Sequence, residues 1–426
     1  MSQGTYEAVD FQDYRDTTKI ERFETGRLIV GIDIAKRIQY ACLMGSAPGG
    51  GWEEYDIVTF NASETREFVD FLAGLDSTIE IVLEPSGTYG DPLREQCRRC
   101  DLSAWRVRPK QVHDVAEVFD GVPSLHDAKA AYLICRLHQN GVTRPWQVAD
   151  GMTRSVRAIL ERYDEAELER RRLCGKLEAK LSRHWPEATE ILGLGTATLQ
   201  KVLAEFGGPA GVAQQPERAR KLMRKAGGTM LSTDKIRRLV DSASTTRGVP
   251  MLEQEQKTLA EFATRLYDAR VKKRTEQRRL KELTKDNEEV SSMAAQVGVT
   301  TACVLIAYLG SVDNYEAAAA YEKSGGLNLK EKSSGKYKGQ LKITKRGPSA
   351  VRRYLWMAAL RMVTKHDGCP VARAWYKKML GRNGDNKTKA LVALMRKLIR
   401  ALYHLGQGKD YDATKLFDVS RLSISS

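Results

Sequence analysis

The sequence predicts an α/β domain at the N-terminus followed by a mostly helical region, and three observations lead to this fold class. Residues 26–148 contain several apolar runs of strand length, separated by segments with helical periodicity. Two long stretches, residues 149–186 and 250–290, repeat apolar side chains at roughly heptad spacing between charged ones. The other segments combine helical periodicity with short Gly-containing turns, which is typical of a helical domain.

In the N-terminal domain the apolar runs predict three closely spaced, hairpin-linked strands, a helix, and two further strands that alternate with helices. The predicted strands are Leu28–Ile34, Gln39–Gly45, Tyr55–Phe60, Ile79–Glu84 and Ala104–Val107, and the predicted helices are 64–75, 92–100, 110–119 and 125–138. This is the order found in ribonuclease-H-like folds. In that fold the first and fourth strands lie side by side.

Length and composition restrict the class of protein. The chain of 426 residues is too long for one core, and its 42% hydrophobic and 29% charged residues are those of an ordinary globular protein. No apolar stretch approaches the roughly 20 residues that span a bilayer, and the polar N-terminus does not have the pattern of a signal peptide. Seven scattered cysteines, an odd number, favour reduced thiols. We therefore expect a cytoplasmic protein without a membrane partner.

Two of the predicted strands end in an acidic residue. Asp33 follows a run that is apolar on both faces, and Glu84 ends the fourth strand. A buried carboxylate is costly unless a cation compensates it. Asp127 opens the helix that ends the domain and is expected to reach the same cleft, although an acid at a helix start is also common for electrostatic reasons. The three carboxylates predict a Mg²⁺ site of the two-metal type, which can hold both oxygens of a phosphodiester exchange.

The net charge of +15 is concentrated near the C-terminus. Between Lys330 and Arg400 there are 20 Lys and Arg residues and three acids, a local charge of +17, interleaved with Tyr and Trp. This mixture is typical of a nucleic-acid surface. The candidate binding residues are Lys332, Lys336, Lys338, Lys342, Lys345, Arg346, Arg352 and Arg353. A Ser-Gly pair in the same loop could carry a nucleophilic hydroxyl, but by itself the pattern is that of an ordinary basic loop.

The two heptad-spaced segments leave two interpretations open. One interpretation is an antiparallel coiled coil or a dimerisation arm. The other, equally favoured, is a pair of helices packed on their own domain. A weak repeat, residues 192–207 and 297–310, places a Gly-containing turn before a helix that ends at Gly. Such helix-hairpin-helix-like elements can contact phosphates through backbone N–H groups.

Four blocks, taken together, resemble the DEDD-type insertion-sequence transposases, the family that includes the Piv-type invertases and the bridge-RNA-guided recombinases. The blocks are Gly31–Lys36, Glu84–Tyr89, His126–Lys129, and the C-terminal series Ser334-Gly335, Ile343–Gly347 and Val351–Arg353. The runs Asn386–Ala390 and Arg396–Leu398 also fit. The resemblance therefore spans most of residues 27–410.

The resemblance implies a transposase or site-specific recombinase of an insertion sequence, with a RuvC/RNase H-like N-terminal domain and a C-terminal transposase domain. It implies catalytic and metal-binding roles for Asp33, Glu84 and Asp127. It also identifies Ser334 as the nucleophile that forms a phosphoserine-linked DNA intermediate, with Ser333 as the near alternative.

One position departs from the family pattern. The third of the four family acids falls on Ser124. Three acids can be enough, Asp120 can supply the missing oxygen, or the site can be inactive, and the sequence leaves these alternatives open.

The resemblance further implies donor and target DNA, a structured noncoding guide RNA, and a homodimer or homotetramer in which Ser334 of one protomer meets the acids of another. It also implies a bacterial protein that is associated with the nucleoid in use. Two alternative functions remain: a metal-dependent, Holliday-junction-resolvase-like nuclease in which water attacks, and a non-catalytic nucleic-acid-binding protein. The expected domains are 1–25 (polar extension), 26–148 (RuvC/RNase H-like), 149–186 with 250–290 (coiled-coil or linker helices), 187–249 (helical insertion), 291–410 (transposase domain) and 411–426 (tail).

Overall fold

The computed structural model describes residues 6–17, 21, 23, 26–45, 54–85, 87–331, 339, 341–364 and 368–422. The chain divides into two compact units, Met1–Val148 and Ala149–Ser426. The first is a mixed α/β unit built on one sheet, and the second is mostly helical. The predicted fold class is confirmed at this level.

A mixed sheet forms the centre of the N-terminal unit. Its strands are β1 (Ala8–Asp10), β2 (Gly26–Asp33), β3 (Ile38–Gly45), β4 (Glu54–Asn61), β5 (Ser77–Leu83), β6 (Ser103–Arg106) and β7 (Arg144–Pro145). Their spatial order is β1-β4-β3-β2-β5-β6-β7. β2 pairs antiparallel with β3 and parallel with β5. The first and fourth predicted strands are therefore neighbours, as the sequence indicates.

Helices cover both faces of this sheet, which explains why its central strands are apolar on both sides. The helices of the unit are α1 (Phe11–Tyr14), α2 (Thr65–Ala73), α3 (Asp91–Arg99), α4 (Pro109–Asp114) and α5 (Asp127–Gln139). On one face, Val30 of β2 packs in a core with α2 and α3. On the other, Ile29 packs with α5. The alternation follows from the two-residue period of a strand.

Residues 8–14 contribute a strand and a helix to the N-terminal unit, although the sequence sets residues 1–25 apart as a polar extension. β1 runs parallel to β4 at the edge of the sheet. Phe11 and Tyr14 of α1 are buried, and the Tyr14 hydroxyl donates a hydrogen bond to Asp56 at 2.8 Å. Two large side chains in a mostly polar segment give no periodicity, which is why the sequence does not reveal this strand and helix.

The second unit is a helical assembly with one small hairpin. Its helices are α6 (Gly151–His184), α7 (Pro186–Ile191), α8 (Ala197–Phe206), α9 (Pro209–Gln214), α10 (Pro216–Gly227), α11 (Thr233–Ser244), α12 (Glu253–Leu283), α13 (Glu288–Val297), α14 (Val299–Leu309), α15 (Ala318–Ser324), α16 (Ser349–Thr364), α17 (Pro370–Arg382), α18 (Lys387–Gly406) and α19 (Ala413–Phe417). The hairpin strands are β8 (Leu329–Lys330) and β9 (Lys342–Ile343), which pair antiparallel. Short 3-10 turns are Ala62–Glu64 in the first unit and Gly228–Met230, Val312–Asn314 and Val419–Arg421 in the second.

The two long helices, α6 and α12, pack against each other in opposite directions. Ion pairs join Glu165 to Lys272 at 3.0 Å and Glu169 to Arg265 at 2.6 Å, so position numbers rise on one helix as they fall on the other. Leu173 of α6 shares a core with Leu259 of α12 and with α8, α10 and α11. The heptad-spaced side chains are thus buried within this unit. Heptad spacing does not show whether the partner helix belongs to the same chain or to a second chain. For this reason the sequence alone is compatible with a dimerisation arm and with helices packed on their own domain.

Each copy of the predicted internal repeat contains a helix in the structure. α8 and α14 each follow a turn that contains Gly and end directly before Gly207 and Gly310. Only Gly298 separates α13 from α14, and the two helices pack together. No helix in the described ranges is both long and apolar enough to cross a lipid bilayer.

Candidate active site

The ends of β2 and β5 present Asp33 and Glu84 at one edge of the sheet. The register pairs Gly26 with Ser77 and continues to Ile32 with Leu83. Asp33 and Glu84 are the next residues on the two strands. Because strand positions alternate between faces, Asp33 lies on the face that α5 covers.

A close approach between β2 and α5 brings the third acid to this edge. A Cβ atom at Gly31 would lie 2.6 Å from the Ala131 carbonyl and 2.7 Å from Cys135 Sγ, so only glycine lets α5 pack this closely. Gly31 and Asp33 lie on one face of β2. Asp127 precedes Ala131 by one helical turn and lies on the same side of α5. Gly31 therefore allows the close packing of β2 and α5 that brings Asp33 and Asp127 to the same edge of the sheet.

Asp33 is the electrostatically unusual member of the set. Its pKa is raised to about 6, first by burial and then by the negative charges of Asp127 and Glu84, while a hydrogen bond from the Ile34 N–H lowers it in part. The three acids predicted from the sequence therefore act on one another in the fold. A cation held among them would relieve this repulsion.

A metal site is not preformed. In the described part of the chain, no group of three or more His, Cys, Asp or Glu side chains is arranged to hold a metal ion as it stands. The donor chemistry nevertheless fits, because Asp33, Glu84 and Asp127 offer hard carboxylate oxygens that repel one another.

The third family position has a different environment. Ser124 is exposed, and its carbonyl accepts a hydrogen bond from Lys129 Nζ at 3.0 Å. The same ammonium pairs with Asp120 at 2.8 Å and donates to the Val122 carbonyl at 2.7 Å. Asp120 also accepts from the Tyr6 hydroxyl, and the Lys129 contact is the first cause that lowers the Asp120 pKa. Asp120 is thus neutralised from within the protein, in contrast to Asp33.

Sequence analysis assigned no role to Lys129, whose side chain is only 1% exposed. The ammonium holds the segment 120–124 that leads into α5, so it positions the helix on which Asp127 stands. The signal that could have revealed this ion pair is a lysine between two alanines, in a helix whose following residues are mostly apolar.

A depression of about 350 Å³ lies beside the acid edge. Its lining combines aromatic side chains with the start of α5: Tyr6, Ala8, Tyr40, His126, Asp127 and Ala128. Tyr40 is the cross-strand partner of Asp33. Residue patterns do not predict this depression, because part of its lining comes from Tyr6 and from the edge strand β1.

The predicted basic surface falls into three groups. Lys342, Lys345 and Arg346 are exposed. Arg352 donates to the carbonyls of Gly325, Gly347 and Pro348, while Arg353 forms an ion pair with Asp164. These two guanidinium groups are therefore engaged within the protein. The remaining candidates, Lys332, Lys336, Lys338, Ser333 and Ser334, lie outside the described residues.

The base of the serine-bearing loop is tightly packed. The loop connects β8 to β9, and Thr344 donates a hydrogen bond to the Asn328 side chain at 2.6 Å. A Cβ atom at Gly347 would lie 2.2 Å from the Ser324 carbonyl, which explains the glycine in the Ile343–Gly347 block.

Comparisons with known proteins match both parts of the chain. A DEDD-type transposase model of the IS110 family matches residues 30–186. A model described as Transposase IS116/IS110/IS902 family matches residues 291–377. An insertion element IS110 uncharacterized 43.6 kDa protein of Streptomyces coelicolor is 21% identical over 384 residues, which cover 88% of this chain and 93% of the relative.

An α/β unit with clustered acids, followed by a basic helical unit, is the arrangement of an enzyme that acts on a polyanion. The chain belongs to the DEDD-type insertion-sequence transposases of the IS110 family. It is accordingly an enzyme that cleaves and rejoins DNA, and its family suggests a divalent metal.

Proposed function

We propose that the chain is a site-specific DNA recombinase that exchanges phosphodiesters with a serine nucleophile and a Mg²⁺–carboxylate site. The observation that carries the proposal is the raised pKa of Asp33, which burial and the charges of Asp127 and Glu84 produce together. The strand order of the N-terminal sheet supports a RuvC/RNase H-like fold for the unit that holds them.

In this proposal Asp33, Glu84 and Asp127 hold the metal, which would be of the two-ion type. A bound divalent ion would supply positive charge to the phosphate oxygens and favour an ionised oxygen nucleophile. The protein's own contribution is to keep three carboxylates at one edge of a rigid sheet. Asp120 does not join them in this scheme, since Lys129 neutralises it.

The Ser334 hydroxyl oxygen would form a bond to a DNA phosphorus while the bond from that phosphorus to a DNA oxygen breaks. The serine proton is lost, and the leaving DNA hydroxyl takes one up. The second exchange reverses this step with another DNA end. Exposed Lys342, Lys345 and Arg346 would hold the phosphates nearby.

The proposal includes a structured noncoding guide RNA and a homodimer or homotetramer. Both rest on the family resemblance, and the basic character of the second unit supports nucleic-acid binding in general. Water attack at the same acids, as in a nuclease, is the competing chemistry.

One experiment separates the two chemistries. A nicked DNA substrate is incubated with Mg²⁺ and the full chain, and covalent protein–DNA adducts are identified by denaturing electrophoresis and peptide mapping. We expect an adduct at Ser334 that disappears in Ser334→Ala and in Asp33→Asn, while both variants still bind DNA. An adduct at Ser333 would shift the nucleophile by one position. Cleavage by Ser334→Ala at the normal rate would contradict the serine mechanism and favour water.

A further inference from the structure

A second basic surface lies in the helical insertion, outside the C-terminal segment. It consists of α10, the turn Gly228–Met230 and the start of α11, together residues 216–238. This segment contains eight Lys and Arg residues and two acids, a local charge of +6. The family models match residues 30–186 and 291–377, so neither includes this hairpin.

The hairpin is rigidly built, with its apolar and charged side chains on opposite faces. Ala219 and Met223 of α10 are buried in one core with Ile236 and Leu239 of α11. The 3-10 turn that joins the helices ends at Met230, whose side chain is 94% exposed. The outward face of α10 is therefore fixed in place by its core.

The cations of the hairpin differ in whether they are neutralised. Arg237 and Arg220 form ion pairs with the hairpin's own acids, each at 2.9 Å. Arg218 pairs with an acid on α8. Arg238 also reaches Asp234, at 3.9 Å. The four others have no acidic partner in the described part of the chain; they are Lys221, Arg224, Lys225 and Lys235.

Three of these four cations stand together on α10. Lys221, Arg224 and Lys225 are exposed and are separated by three and four positions, which makes them neighbours on one helix face. Like charges at this spacing destabilise an isolated helix. Adjacent phosphates of a nucleic-acid backbone would neutralise them together, and a single exposed methionine at the tip adds an apolar contact.

We infer that the α10–α11 hairpin binds the sugar–phosphate backbone of a nucleic-acid duplex, as a contact separate from the basic C-terminal segment. This inference rests on the proposed function, since a guided recombinase must hold an RNA as well as DNA. We assign these cations to the phosphates because positive charge at helical spacing is what the segment offers. The duplex is either a stem of the RNA or a flank of the DNA, and both present the same phosphate chemistry.

The test measures binding of the full chain, without divalent ions, to a short DNA duplex and to an RNA hairpin of equal stem length. The variant Lys221→Gln/Arg224→Gln/Lys225→Gln removes three charges from the hairpin. The control Lys257→Gln/Arg265→Gln/Lys272→Gln removes three exposed charges that are already ion-paired on α12. Each phosphate contact contributes about 0.9 to the slope of log affinity against log salt.

For one of the two probes, we expect the slope of log affinity against log salt to be shallower by about 2.7 in the hairpin variant than in wild type. The ratio of wild-type affinity to variant affinity should therefore fall about 40-fold between roughly 50 and 200 mM salt. The control should keep the wild-type slope. The probe that responds identifies the source, RNA or DNA. Equal losses in variant and control, or an unchanged slope for both probes, would overturn the inference.

A second variant guards against a folding artefact. Met230→Glu adds a negative charge at the tip of the hairpin, at a residue that is 94% exposed, so the core remains intact. It should weaken the same probe, whereas Met230→Gln should not, and equal binding by both would contradict the inference. Failure of the serine chemistry is detected separately, since it would remove the covalent adduct while leaving these binding slopes unchanged.

Discussion

Two carboxylates, a half-buried one in the N-terminal unit and a buried one in the C-terminal unit, differ in how their charge is compensated. In the N-terminal unit, burial and two neighbouring acids raise the pKa of Asp33 to about 6. In the C-terminal unit, Glu322 is 1% exposed and is held by Arg396 and Arg400. One acid is surrounded by charge of its own sign, and the other by charge of the opposite sign.

The difference separates a structural charge from a functional one. A carboxylate fixed by two guanidinium groups ties α15 to α18 and has little left to offer a ligand. A carboxylate that repels its neighbours costs stability, and that cost is recovered only when a cation binds. Asp120, paired with buried Lys129 inside the acid-bearing unit, belongs with Glu322 in this respect.

The largest expected effect tests this division within the N-terminal unit. Asp127→Asn should lower strand transfer by about a thousandfold, because it removes a carboxylate from the metal-binding set. Asp120→Asn, the same change seven residues earlier, should leave the rate of the folded protein within about fivefold, because Lys129 keeps its hydrogen bonds to the Val122 and Ser124 carbonyls. Rates are measured on a DNA substrate at saturating Mg²⁺, with folding checked by circular dichroism. Equal losses in the two variants would make Asp120 a fourth ligand and remove the distinction.

The compensated acid provides the next effect. Glu322→Gln should lower the free energy of unfolding by about 3 kcal/mol, because it leaves two arginines facing a buried amide. Glu217→Gln, which breaks an exposed ion pair with Arg220, should cost less than about 0.5 kcal/mol. Urea denaturation of both variants gives the comparison. A Glu322→Gln protein as stable as wild type would show that the two arginines find water instead.

The uncompensated acid should behave in the opposite way. Asp33→Asn should raise the free energy of unfolding at pH 8 by about 2 kcal/mol without divalent ions, allowing for its partial exposure. A folded-state pKa raised to about 6 means that the cost is absent below the ordinary pKa near 3.8 and complete above 6. The difference from wild type should therefore grow as pH rises from about 4 to 6. Mg²⁺ should stabilise wild type and not the variant.

A wild-type stability that is flat over this pH range, together with no gain in Asp33→Asn, would contradict the raised pKa. Loss of stability in the variant would indicate that the carboxylate is compensated by a contact other than the two acids.

Much of the acid edge was predictable from the sequence, for a physical reason. β2 is apolar on both faces and β5 ends in the apolar run Ile81–Leu83, so the burial of these ends and the positions of the acids that follow agree with the residue pattern alone. The packing of α5 was not predictable in this way. Gly31 permits it, but its effect depends on Ala131 and Cys135, a hundred residues later.

The pairing of charges was the least predictable feature. A sequence shows that Arg352 and Arg353 are basic, but not that one caps three carbonyls and the other meets Asp164. The partner of a long basic side chain depends on which groups lie near it in the folded chain. The sequence therefore does not show which cations are bonded within the protein and which are exposed to solvent. The exposed members of the same series, Lys342 and Lys345, therefore remain the better candidates for phosphate contact.

The smallest expected effect extends the comparison to those two lysines. Lys345 has a left-handed backbone, with φ of 56°, whereas Lys342 lies in β9. Lys345→Gly should raise the free energy of unfolding by about 0.5 kcal/mol, since glycine adopts this conformation without steric cost. Lys342→Gly should lower it by a similar amount, because glycine weakens a strand. Each should reduce the salt slope of DNA binding by about 0.9 if the lysine meets a phosphate. If the two variants change stability in opposite directions but reduce the salt slope equally, the stability change reports the backbone conformation and the slope change reports the lost charge. An unchanged slope in both variants would remove these lysines from the nucleic-acid surface.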